Sequence, residues 1–94
     1  MKVHFYATLR QIVGGKTVEY DLPPGGTLGG LVDAMIHRFP DLRRELLDED
    51  GKLYQHVHVF VNGRDAPYLE DQLQYVLHPD DVVNIFPAVG GGVA

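Results

Sequence analysis

Thr27-Leu28-Gly29-Gly30-Leu31-Val32-Asp33-Ala34-Met35-Ile36-His37-Arg38-Phe39-Pro40 decides the fold. Its apolar residues Leu28, Leu31, Val32, Met35, Ile36 and Phe39 recur at steps that alternate between three and one. That spacing lays all of them on one stripe of an α-helix, which must be buried against something. Thr27 is a natural N-cap, because its hydroxyl oxygen can accept from an amide that the first turn leaves unpaired. Gly29 and Gly30 lower helix propensity, a cost that close packing on a sheet would offset. Pro40 stops the helix.

Working outward, the flanking segments read as strands. Lys2 to Ala7 alternates, with Val3, Phe5 and Ala7 on one side and His4 and Tyr6 on the other. Thr17 to Leu22 alternates again, and the Gly-containing loop from Leu9 to Gly15 joins the two as a hairpin. Pro23-Pro24-Gly25-Gly26 ends the second strand. After the helix, Asp41 to Leu47 forms a second short helix with Leu42, Leu46 and Leu47 as its apolar residues, and Asp50-Gly51 is a turn. His56 to Val61 is the strongest strand, with Val57, Val59 and Val61 opposed to His56, His58 and Phe60, and Asn62-Gly63 ends it in a tight turn. Asp65 to Leu77 is irregular, with room for one short strand or helical turn. Val82 to Phe86 is the last strand, ended by Pro87.

The order is strand, strand, helix, strand, strand. The predicted class is α+β, a mixed sheet of four to five strands with one main helix on one face. Val3, Phe5, Val59, Val61, Val83 and Ile85 are the expected inward residues. Residues 1–87 form the domain, and 88–94 a flexible glycine-rich tail.

Composition narrows the function. Ninety-four residues make one domain. There is no cysteine, which removes disulfides, thiolate metal sites, cysteine-held clusters and a cysteine nucleophile. A formal charge of −5 opposes nucleic-acid binding. Arg38, Arg43 and Arg44 cluster, but among Asp41, Glu45, Asp48, Glu49 and Asp50, as on a solvated mixed-charge face. No signal peptide or membrane-spanning run is visible, so a soluble cytoplasmic protein with no membrane partner is expected. No Ser-His-Asp or paired-carboxylate spacing points to intrinsic catalysis.

The stretch Val59-Phe60-Val61-Asn62-Gly63, and above all the ending Asp80-Asp81-Val82-Val83-Asn84-Ile85-Phe86-Pro87-Ala88-Val89-Gly90-Gly91-Gly92, resembles the MoaD/ThiS family. Leu46-Leu47-Asp48-Glu49-Asp50-Gly51 is similar to a segment of one branch of it. That family contains the small subunit of molybdopterin synthase and the sulfur carrier of the thiamin pathway. The resemblance implies a β-grasp, ubiquitin-like fold and a role as protein cosubstrate rather than enzyme, with no bound cofactor. It implies that a ubiquitin-activating-like adenylyltransferase, using ATP and Mg, adenylates the C-terminal glycine. A sulfur donor, rhodanese or cysteine desulfurase, then makes a thiocarboxylate. Gly91 and Gly92 match the family's diglycine, Gly90 extends it, and Gly92 would carry the sulfur.

This sequence departs from the pattern by continuing with Val93 and Ala94. Their side chains would crowd a glycine-shaped channel, since glycine alone has no Cβ. Removal of Val93-Ala94 by a trimming zinc metallopeptidase is therefore expected by family analogy.

The sheet face away from the helix is expected to carry His4, Tyr6, His58, Phe60, Asn84 and Phe86. Tyr6, His58, Phe60 and Phe86 are the candidate docking residues, with Phe86 as anchor because it is nearest the tail. His56 and His58, two apart on a strand, have metal-pair spacing but lack a third ligand beyond a distant His4. Within the carrier reading, molybdopterin synthesis with a large synthase subunit as partner leads. Thiamin, cysteine or transfer-RNA thiolation, a lysine-conjugated modifier, and a non-covalent interaction domain are the alternatives.

Overall fold

The computed structural model describes residues 1–54, 56–65 and 72–87. Its strands are β1 (Lys2–Phe5), β2 (Thr17–Glu19), β3 (His58–Val61), β4 (Arg64–Asp65) and β5 (Val82–Phe86). Its helices are α1 (Leu9–Val13), α2 (Leu28–Arg38) and α3 (Leu42–Leu46), with a 3-10 turn at Gln72–Gln74. The strands form one mixed sheet in the order β2-β1-β5-β3-β4. β1 and β5 run parallel at its centre, and every other pairing is antiparallel. With α2 across one face, this is the β-grasp arrangement.

The predicted inward residues are all buried: Val3, Phe5, Val59, Val61, Val83 and Ile85 are at most 1% exposed. They meet Leu28, Leu31, Val32 and Met35 of α2, with Leu42 and Leu46 of α3 closing the same core. Ile36 and Phe39, at the end of the stripe, are only partly buried. The Thr27 cap forms as predicted, its Oγ1 accepting from the Gly30 amide at 3.1 Å.

Several boundaries differ from the sequence reading, each for a local reason. β1 ends at Phe5 because Ala7 takes a left-handed φ of 53° and the Leu9 amide turns back to the Tyr6 carbonyl. The expected open loop from Leu9 to Gly15 contains α1, whose Leu9 is fully buried. β2 ends at Glu19, its register with β1 running from Thr17 opposite His4 to Glu19 opposite Lys2, and the Tyr20 amide then takes the Met1 carbonyl. His56 is not in β3. The chain is still turning there, the Val57 amide bonding back to the Tyr54 carbonyl. Gly29 does allow a close approach, but to the 3-10 turn and not the sheet, since a Cβ there would stand 2.9 Å from the Leu73 carbonyl oxygen.

Asn62 and Gly63 form the tight turn between β3 and β4, with φ of 51° and 84°. Asn62 also ties this turn to the start of β5. Its Nδ2 donates to Asp81 Oδ1 at 2.8 Å, and its Oδ1 accepts the Val82 amide at 2.9 Å. Asp81, only 7% exposed, takes the His78 amide on its other oxygen.

Candidate functional site

β5 is the element that positions the site. It occupies the middle of the sheet and delivers the chain to Pro87, which is buried. Side chains alternate along it, so Val83 and Ile85 enter the core while Asn84 and Phe86 face the other way. Parallel pairing sets Tyr6 next to Phe86, and antiparallel pairing sets His58 opposite Phe86. The predicted docking residues therefore converge on the end of β5.

Their contacts form a continuous row across three strands. Tyr6 and Phe86 stack with ring centroids 4.1 Å apart and planes 8° from parallel. Phe60 meets Phe86 edge-on at 5.6 Å, and His58 lies 6.0 Å from Phe60. The Tyr6 hydroxyl donates to Asn84 Oδ1 at 2.7 Å, which holds the ring in place. Tyr6, Phe60, Asn84 and Phe86 are half-buried, and His58 is exposed. Leu42, Leu46 and Leu47 lie in the core with α2, so α3 does not cover the row.

Two members escaped the sequence reading. Arg10 extends the row beyond Tyr6, with its guanidinium carbon 5.1 Å from the ring centroid and its Nε donating to the Phe5 carbonyl. It is placed there by α1, which the sequence pattern did not reveal. Asp65 closes the opposite end, its Oδ2 standing 2.8 Å from His58 Nδ1. A two-residue strand such as β4 has no legible period, although the Asn-Gly turn marks where a partner strand must start.

The other histidines do not assemble with His58. His4 Nδ1 lies 2.9 Å from Thr17 Oγ1, and His56 precedes the strand. Among the described residues no group of three His, Cys, Asp or Glu side chains is placed to hold a metal ion. Of the basic cluster, Arg43 and Arg44 line an open groove of about 560 Å³ together with Asp41, Asp48 and Glu49, while Arg38 turns away to the Glu19 carbonyl. The groove is lined by both signs of charge. Among the described residues no helix is long and apolar enough to cross a membrane. The candidate residues Gly90, Gly91, Gly92, Val93 and Ala94 lie outside the described residues.

Comparison with known proteins addresses the family. The ThiS family model matches residues 3–92. Small archaeal modifier protein 3 of Haloferax volcanii is 33% identical over 92 residues, covering 98% of each chain. A putative molybdopterin converting factor, subunit 1, from Pyrococcus furiosus superposes with a TM-score of 0.73 at 30% identity, over 92% of this chain and 93% of that one. A chain in the crystal structure of the Amycolatopsis orientalis BexX/CysO complex superposes with a TM-score of 0.77 at 28% identity, over 92% of both chains. This chain belongs to the ThiS family and is one of the ubiquitin-like sulfur carriers and protein modifiers.

Proposed function

We propose that the chain is a sulfur carrier whose reacting atom is the carboxylate of Gly92, freed by removal of Val93-Ala94. The observation that carries this reading is the extent of the family match. It runs to residue 92, so its last matched position is the second glycine of the pair. From Pro87, the last described residue, to Gly92 is five residues (92 − 87), which span at most about 18 Å when extended. That reach lets the domain dock on one surface of an enzyme while its end enters a separate site. Glycine suits such an end, because without a Cβ it passes a narrow channel and adopts backbone angles closed to other residues.

The chemistry belongs to the partners. An adenylyltransferase joins the Gly92 carboxylate to the α-phosphate of ATP with loss of pyrophosphate. The terminal sulfur of a donor's persulfide then displaces AMP to give an acyl disulfide, and a thiol attacks the donor's own sulfur, breaking the S–S bond so that the thiocarboxylate is freed and the thiol and donor are left as a disulfide. The row Arg10, Tyr6, Phe86, Phe60 and His58 is the docking face. Pterin sulfuration is the destination we favour, supported by likeness to the P. furiosus protein named as a molybdopterin converting factor subunit. Conjugation to lysine through Gly92 is the second reading, favoured by the H. volcanii relative named as a modifier.

The test is adenylation by the activating enzyme of the same source. A chain ending at Gly92 releases pyrophosphate from ATP, and the chain running to Ala94 does not. Equal turnover of both overturns the trimming step, and turnover of neither overturns the carrier reading. A thiocarboxylate on the isolated protein favours sulfur transfer; isopeptide-linked ladders on denaturing gels favour conjugation.

A further inference from the structure

His58 and His4 both sit on the docking face, but only His58 has a fixed tautomer. Its Nδ1 is 2.8 Å from Asp65 Oδ2, and a carboxylate only accepts hydrogen bonds. Nδ1 therefore carries the proton, and in the neutral ring Nε2, on the far side from Asp65, holds the lone pair. His4 faces a hydroxyl, which donates or accepts and leaves its tautomer open. The His58 side chain is 49% exposed, whereas that of Asp65 is 15% exposed. The carboxylate thus lies beneath and the ring above, stacked toward Phe60 and opposite Phe86. Asp65 Oδ1 is buried with no hydrogen-bond partner among the described residues, and among them His58 holds this carboxylate through Oδ2.

We propose that Asp65 presents His58 Nε2 as a fixed hydrogen-bond acceptor on the docking face, and that the activating enzyme places a donor, a backbone N–H or a basic side chain, against it. This rests on the carrier reading and adds a determinant of partner choice to it. An aromatic row binds any flat apolar surface; a directional acceptor at its edge rejects a surface that offers no donor.

The experiment measures KM and kcat for adenylation of chains ending at Gly92, together with nitrogen NMR of the free chain. Wild type shows the Nδ1–H tautomer at His58, and Asp65→Ala shows both tautomers. His58→Phe keeps an aromatic ring but removes the acceptor, and raises KM about tenfold at neutral pH with kcat unchanged. His58→Gln keeps a carbonyl acceptor and holds KM near wild type. An Nε2–H tautomer in the wild type overturns the proposal. So does a KM for His58→Phe that equals wild type, with adenylation itself intact and the carrier reading standing. Failure of the wild-type chain to be adenylated overturns the carrier reading and this inference with it.

Discussion

Phe86 is the residue on which fold and function meet. Ile85 beside it in β5 is core, yet its own ring lies half-exposed between Tyr6 and Phe60, at the point where the strand gives way to the tail. Phe86→Ala removes the centre of the row. We expect a loss of about 2 kcal/mol in binding to the activating enzyme, measured by calorimetric titration. The accompanying loss of folding stability, from the stacked pair alone, is about 1 kcal/mol. Unchanged affinity would remove Phe86 from the docking face. Asn62 plays a different part, as both turn residue and clamp. Asn62→Asp sets a second carboxylate against Asp81 in place of a donor. The expected cost is about 2 kcal/mol at neutral pH in denaturant unfolding.

At the scale of elements, periodicity was informative where an element was long and faced a core. α2 has three turns and a cap, and its Thr27 boundary and inward residues follow from spacing alone. α1 has five residues, too few for a period to show, and its place in the core rests on Leu9. Strand ends were misread for another reason. Where β2 stops depends on how far β1 reaches, which is a property of the partner and not of Tyr20 or Leu22. Asp65 and Arg10 were hidden for the same cause, since each owes its position to an element too short to see. The paired glycines of α2 give a test at this scale. A Cβ on Gly29 would press on the Leu73 backbone, whereas one on Gly30 would only touch Thr27 Oγ1 at 3.4 Å. Gly29→Ala should destabilise by about 1 kcal/mol, overpacking outweighing the gain in helix propensity. Gly30→Ala should be neutral or stabilising by up to about 0.5 kcal/mol. Thermal unfolding of the two variants should shift in different directions or by clearly different amounts; identical shifts would contradict the close contact at Leu73.

The whole molecule divides into a core side and a delivery side. All the large inward side chains gather under α2, α1 and α3, and Phe5 at the sheet centre is fully buried. Phe5→Ala should cost roughly 3–5 kcal/mol, a large share of the stability of so small a domain, read from a denaturant melt. The opposite face was legible as a list of residues, because alternation assigns faces without knowing the topology. What it did not convey was convergence: the parallel pairing of β1 with β5 brings Tyr6 to Phe86, and nothing local to either segment encodes that. What this scaffold presents to its partners is the end of the chain. The most direct test of this is the intact mass of the protein isolated from its own host. Molecules ending at Gly92 are expected, a fraction of them heavier by the exchange of one oxygen for sulfur. Molecules that all retain Val93-Ala94, with no sulfur exchange while the pathway is active, would contradict it.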